Sequence, residues 1–423
     1  MANARKIAVN ALIKVDFNNA YSNITLNELL KNSNASVADK ALATALFYGV
    51  LDRKITLDYV LNELIEKGFK KLDSFTLNVL RVGLYQLMFT EKIPQSAAVN
   101  ESVKIIKASK YSRNAGFVNA VLRNYIRQNI ELPNGNSVKD LSIKFSCPEW
   151  IINDLLTDYS VNTVINILEE FLTAPELYLR VNRAKNSADE LVEILKTYEI
   201  KSQKINEYTV LITDGGFNFE KFEPYLQGRF FVQDLSSQRC ANAVNPKTNE
   251  RILDMCAAPG GKTFAMADLM EGTGEIVSCD IHPHKIELIK SGAKRLGFNN
   301  ISPFICDATQ YNENLGKFNA VLCDVPCSGF GIIKRKPDIK YKNENNFKDL
   351  QDVQLKILEN AVNYLLPQGR IIYSTCTIRK SENEGIINKF LTKYQQFSLQ
   401  EMNVNLPQKN NGDGFFTAVL IKK

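Results

Sequence analysis

Two cysteines carry the chemistry that this sequence most directly suggests: Cys327 in VLCDVPCSGFG (residues 321–331) and Cys376 in YSTCT. Each follows a run of apolar, strand-forming residues. Pro326 stops the first ladder and turns the chain outward, so Cys327 is expected to face a cleft. If the two strands are neighbours, their ends bring both thiols and Asp324 into one pocket. A thiolate in such a pocket can attack C6 of a cytosine and convert the ring into an enamine, whose C5 carbon then accepts a methyl group. The attack moves electron density towards N3, where a carboxyl group that shares or donates a proton stabilises the adduct, and Asp324 fits that role. After methylation C5 must lose its proton and the thiol must leave, a step that a second cysteine can assist. The base has to be single-stranded or flipped out of its stack.

A methyl donor needs its own site. The run LDMCAAPGGKT (residues 253–263) sets a loop between a buried strand and a helix, with Gly260 and Gly261 letting the backbone approach a ligand closely. Asp280 ends the next strand and can accept hydrogen bonds from a ribose, and Asp307 ends the third strand in the same way. The loop is neither GxGxxG nor a phosphate-binding P-loop, although Lys262-Thr263 superficially imitates the latter. Alone it is a weak signal; followed by Asp280 and Asp307 it is a strong one. For any single cysteine the alternative is inert core packing, the reading taken for Cys147, Cys240, Cys279, Cys306 and Cys323.

These residues need a scaffold, and the remaining sequence describes one. The chain has 423 residues, 45% hydrophobic and 23% charged, which suits two or three folded domains and argues against disorder. Residues 1–135 show apolar positions at three-to-four spacing and read as an all-helical bundle. ELPNGNS (131–137) is a linker by its Pro and Gly. Residues 140–238 mix helical patterns with LYLRVN, YTVLIT and GRFFVQD and read as a small α+β module. From 239 to 423 strands and helices alternate regularly, which predicts a doubly wound, mostly parallel sheet with ligands at the strands' carboxyl ends.

Composition narrows the function classes. There is no secretory leader pattern and no apolar run near the roughly 18 residues that span a bilayer, so a cytoplasmic protein without a membrane partner is expected. Eight cysteines in a chain of this kind are expected to be thiols. With two histidines and no CxxC pair, no metal site is expected, and His282 and His284 read as surface residues at a helix start. The net charge of +6 divides as +7 over residues 1–140, −6 over 141–235 and +5 over 236–423. Two basic flanks can hold a polyanion.

LDMCAAPGGKT, DVPCSGFG and STCT, with the preceding FVQDLSSQ, closely resemble RNA 5-methylcytosine methyltransferases of the Sun/Fmu (RsmB-like) type, which act on 16S ribosomal RNA. AVNESVKIIK and GFVNAVLRN make the helical N-terminus similar to the NusB-like domain of that bacterial subgroup. The resemblance covers nearly the whole chain. It implies a NusB-like RNA-binding bundle, a middle module and a Rossmann-like class I methyltransferase domain using S-adenosyl-L-methionine. It further implies Cys376 as the nucleophile and Cys327 as the residue that promotes release. Cofactor contacts are implied for Cys256, Ala257, Ala258, Pro259, Gly260, Gly261, Lys262, Asp280, Asp307 and Asp324. The expected partner is 16S ribosomal RNA rather than DNA, bound by a monomer. Three positions depart from the family pattern: Phe330 stands for a usual Thr, Lys336 for a His and Tyr341 for a Trp. In that stretch Lys334, Arg335, Lys336, Lys340 and Lys342 are candidates for phosphate contacts at an RNA entrance. The other readings are a non-catalytic RNA-binding or ribosome-assembly factor, and the same chemistry on another RNA.

Overall fold

The computed structural model describes residues 4–18, 22–66, 68–128, 130–214 and 217–423. They form two compact units, residues 1–173 with 333–342, and residues 174–332 with 343–423.

The first unit is helical: α1 Ala4–Asn18, α2 Ser22–Lys31, α3 Val37–Leu64, α4 Ser74–Phe89, α5 Gln95–Lys107, α6 Ala115–Gln128, α7 Val138–Phe145, α8 Glu149–Asp158 and α9 Val161–Glu170. The starts are written in the sequence, with Ser36, Asp73, Ser137 and Ser160 each accepting a hydrogen bond from a backbone N–H in the first turn of the following helix. Apolar stripes from α1 to α6 meet in one core that includes Leu12, Phe47, Leu57, Leu80, Val99 and Leu122. Helices α7 to α9, which the sequence pattern assigns to the α+β module, pack with this bundle. Thr56 donates to the Ile143 carbonyl at 2.6 Å, and Ile55 N–H donates to Ser146 Oγ at 2.9 Å.

Residues 333–342 belong to this helical unit, which corrects part of the expectation for the basic stretch. Lys334 is buried and pairs with Glu170 at 2.9 Å. Lys340 is 1% exposed and donates to the Asp52 carbonyl at 2.8 Å, while Tyr341 donates its hydroxyl to the Leu51 carbonyl at 2.6 Å. These lysines are buried because neighbouring Ile333, Pro337 and Ile339 carry the segment into the bundle. Neither faces solvent where a phosphate would lie; Lys336 and Lys342 do. Burial raises the Asp52 carboxyl to about 6, with Lys340 acting against it. Lys340→Ala is therefore expected to cost about 1–2 kcal/mol in a urea titration at neutral pH, since it removes the donor to the Asp52 carbonyl and the cation beside a half-buried carboxylate.

The second unit holds two sheets. The smaller contains β1 Leu177–Val181, β2 Lys201–Asn206, β3 Thr209–Asp214 and β4 Phe230–Val232 in the order β2-β3-β1-β4, all antiparallel, with α10 Ala188–Thr197 and α11 Glu223–Leu226. The larger follows α12 Leu235–Ala243. It comprises β5 Arg251–Asp254, α13 Gly261–Leu269, β6 Glu275–Asp280, α14 Pro283–Leu296, β7 Ile301–Ile305, β8 Phe318–Asp324, α15 Leu350–Ala361, β9 Leu365–Thr375, α16 Glu384–Lys393, β10 Phe397–Asn405 and β11 Phe415–Lys422. Its order is β10-β11-β9-β8-β5-β6-β7, parallel from β9 to β7 and antiparallel at β11 and β10. From β5 the chain runs outward one way through β6 and β7 and the other way through β8 and β9. The crevice at the carboxyl ends of β5 and β8 is thus the switch point where such sheets hold ligands. Arg183 fixes the small sheet to the large one by donating to both carboxylate oxygens of Asp268, at 2.9 Å from Nε and 2.9 Å from its backbone N–H.

Candidate active site

The loop after β5 is built for close approach. Gly260 caps α13 at φ +110°, and a Cβ there would lie 2.5 Å from the Phe264 ring, so only glycine fits. No side chain caps the first turn of α13, whose N–H groups point towards the crevice as a site for an anionic group. Beside Gly261 lies the amide of Gln233, the third residue of FVQDLSSQ, 3.6 Å from where a Cβ would stand. Gln233 is 5% exposed, and both its Nε2 and Oε1 are buried without a hydrogen-bond partner. Three other polar side chains of that motif are occupied structurally: Asp234 accepts from Ser236 and Asp413 N–H groups, Ser236 donates to the Asp413 carbonyl, and Gln238 accepts from Thr209. An unpaired buried donor and acceptor beside a free helix start suit the ammonium and carboxylate of an amino-acid moiety.

Asp280, at the end of β6, is mostly buried, accepts from the His282 N–H at 3.0 Å and lies 3.6 Å from Lys285 Nζ. Asp307 accepts from both the N–H and the hydroxyl of Thr309, at 2.9 and 2.7 Å. Cys256, Ala257, Ala258 and Pro259 form the loop itself, with a cis bond between Ala258 and Pro259. Ala257 N–H donates to the Cys279 carbonyl at 2.8 Å, tying the loop to β6.

Lys262 reaches across the switch point to Asp324, 2.6 Å from Nζ to Oδ2, while Ser374 donates to Asp324 Oδ1 at 2.8 Å. Burial is the largest influence and works against the Lys262 ammonium, but Asp324, Cys240 and Cys376 together raise the lysine above its ordinary range. Asp254 lies beneath, fully buried, accepting from Thr263 Oγ1 at 2.7 Å. Burial raises its carboxyl to about 7. In the folded chain Asp254 therefore keeps its proton well above the unfolded value, so its contribution is favourable at low pH and is lost as pH rises from about 4 to about 7. Asp254→Asn is expected to remove about 2 kcal/mol of the decline in unfolding free energy between pH 5 and pH 8. Parallel urea titrations at the two pH values check this; an unchanged decline would contradict it.

Because β8 and β9 are adjacent, Cys327 and Cys376 do meet, their sulfurs 3.2 Å apart. Both are half-buried, whereas Ser328, Thr375 and Thr377 around them are fully or almost fully buried. Hydrogen bonding to Cys376, with burial, pushes the Cys327 thiol well above its ordinary range. Gly331 donates its N–H to the Cys376 carbonyl at 3.1 Å and packs so closely on Gly414 that a Cβ would lie 2.0 Å from the Gly414 carbonyl oxygen. The cysteines read as packing, Cys147, Cys240, Cys279 and Cys323, are buried; Cys306 is half-buried and donates to the Asp307 carbonyl at 3.8 Å. Sequence reasoning passed over Ser374, Gln233 as a ligand group, and Glu382 and Gln354 beneath the thiols. Only the polar cluster SENEG hinted at Glu382; Gln354 sits on a helix without any local signal.

Comparison with known proteins gives the same order of parts along the chain, with α8 and α9 inside the match to the middle domain, as the sequence pattern assigns them. Residues 241–421 match the family described as 16S rRNA methyltransferase RsmB/F, residues 2–127 the NusB family, and residues 147–214 the RsmF/B-like ferredoxin-like domain. A Bacillus subtilis relative named "Probable ribosomal RNA small subunit methyltransferase B" is 37% identical over 96% of this chain and 92% of its own. Ribosomal RNA small subunit methyltransferase B of Proteus mirabilis is 31% identical over 100% of this chain and 99% of its own. In fold, the crystal structure of PH0851 superposes with a TM-score of 0.82 at 23% identity, covering 100% of this chain and 99% of that one. The chain thus belongs to the RsmB/F family of ribosomal RNA small subunit methyltransferases, with a NusB domain, a ferredoxin-like middle domain and a C-terminal methyltransferase domain.

Proposed function

We propose that this chain methylates carbon 5 of a cytosine in 16S ribosomal RNA, using S-adenosyl-L-methionine and a covalent bond from Cys376 to C6. The observation that carries this reading is the 3.2 Å pair of sulfurs beside Asp324 at the ligand-binding edge of the sheet. The α13 N-terminus, Gln233 and Asp280 suit the cofactor's amino-acid and ribose groups, and Asp307 lines the adjacent strand end. When bound, the cofactor supplies an electrophilic methyl group on a sulfonium sulfur.

The chain's own residues divide the remaining work. Cys327, held as a thiol, has its sulfur 3.2 Å from that of Cys376, close enough for its S–H to donate once Cys376 has given up its own proton. That thiolate bonds to C6, and the electron pair of the C5=C6 bond becomes available at C5 for the methyl group. Asp324, fixed by Lys262 and Ser374, would share with N3 a proton taken up from solvent as electron density accumulates there, and the proton returns to solvent when C5=C6 re-forms. Once Cys376 is bonded to carbon, the largest influence raising Cys327 is gone. Cys327 then releases its proton to solvent and takes the proton from C5. C5=C6 re-forms, and the pair of the S–C6 bond returns to Cys376 as thiolate.

Bisulfite sequencing of ribosomal RNA from cells with and without this protein tests the proposal. One cytosine in 16S RNA should be protected only when the protein is present. An unchanged 16S pattern would redirect attention to another RNA.

A further inference from the structure

Glu382 is fully buried, and both of its carboxylate oxygens are occupied. Oε2 accepts from the Ser328 N–H at 2.9 Å and from Gln354 Nε2 at 2.8 Å, and Oε1 pairs with Arg379 at 3.2 Å. The same Gln354 amide donates to the Pro326 carbonyl at 3.0 Å. The two peptide groups that flank the Cys327 Cα, Pro326–Cys327 and Cys327–Ser328, are thus both gripped from below by one Glu–Gln pair. The turn holding Glu382 also grips the other cysteine's strand. Tyr373 donates its hydroxyl to the Glu382 carbonyl at 2.6 Å, and Thr375 donates to Asn383 Oδ1 at 2.6 Å. Ser328 and Thr377 join the two loops through their hydroxyls at 2.7 Å.

A buried carboxylate is costly to desolvate, and a neutral turn could close this loop at less cost. What the charge adds is a strong, directional acceptor for an N–H that would otherwise be buried unpaired. We propose that Glu382, seconded by Gln354, is a positioning residue that holds Cys327 against Cys376 and thereby governs the elimination half of the reaction. This rests on the reading in which Cys376 forms the adduct and Cys327 resolves it. Cys376 lies just beyond β9 and keeps its place through the ladder, whereas Cys327 lies on a loop whose flanking peptide groups depend on Glu382 and Gln354. Loss of the clamp should therefore spare attack and slow release.

The test uses the full-length chain with S-adenosylmethionine and a 16S RNA transcript, reading covalent protein–RNA complex on a denaturing gel beside multiple-turnover rate. Glu382→Ala and the milder Gln354→Ala should each lower turnover tenfold or more while accumulating complex, as Cys327→Ala does. Glu382→Gln, which keeps an acceptor for Ser328, should accumulate less. A variant that merely unfolds would lose turnover and complex together, so thermal unfolding is followed in parallel, and Gln354→Ala decides if Glu382→Ala does not fold. If Cys327→Ala traps complex and neither clamp variant does, the inference is overturned alone. If Cys327→Ala itself traps none, the assignment of the two cysteines fails and the inference falls with it.

Discussion

Cys376→Ala should abolish methyl transfer and form no covalent complex with RNA, whereas Cys327→Ala should form that complex and fail to release it. Both variants remove one thiol from the same 3.2 Å pair, so a difference between them reports order of action rather than general damage. Without the Cys376 sulfur C5 is not activated, and the loss in turnover should be at least about 10³-fold. Without Cys327 the attacking sulfur remains, but the proton on C5 has no nearby acceptor. Complex should then build up to roughly one equivalent per enzyme, with labelled methyl already on the RNA. Denaturing electrophoresis with radiolabelled cofactor separates the two outcomes. Trapped complex in Cys376→Ala and none in Cys327→Ala would reverse the assignment.

Asp324→Ala is expected to have the next largest effect, because it acts on both the chemistry and the scaffold. The carboxylate is the partner of a Lys262 ammonium whose side chain is only 12% exposed. Removing it strands that cation and should cost about 2–4 kcal/mol of unfolding free energy. The rate should fall about 10²–10³-fold, the usual loss when one preorganised group at a developing charge is removed. Asp324→Asn keeps a group that can hydrogen-bond to Ser374, so it should recover part of the rate but not the strong lysine pairing. If Asp324→Ala turned over normally while less stable, the residue would be a structural partner of Lys262 and nothing more.

Much of this site is legible in the sequence. Strand patterns, Pro326 and the spacing of Asp280 and Asp307 placed the motifs at strand ends, and β8 beside β9 then had to bring Cys327 and Cys376 together. What sequence could not give was the set of long-range hydrogen bonds. Gln354 lies 28 residues from both Pro326 and Glu382, and a glutamine on an amphipathic helix looks like a surface residue until its partners are known. Burial was equally opaque in the basic stretch. Lys334 and Lys340 read as candidates for phosphate contacts, yet Ile333, Pro337 and Ile339 between them draw the segment into the helical unit. A short run of mixed charge and apolar residues has no period by which to tell those cases apart.

The excursion of residues 333–342 has a consequence for how the polypeptide is made and dissected. The backbone crosses between the two compact units three times, near residues 173, 332 and 342, not once as in a simple tandem arrangement. A ribosome will have emitted the whole helical bundle long before it emits the decapeptide that completes it, so that bundle's last contacts wait on synthesis of most of the catalytic domain. A fragment beginning at residue 174 would carry Ile333, Ile339 and Lys340 with their native surroundings deleted, exposing apolar side chains and an unpaired cation in mid-chain. Poor solubility of such a fragment would therefore report a missing half of a core, not an unstable catalytic sheet.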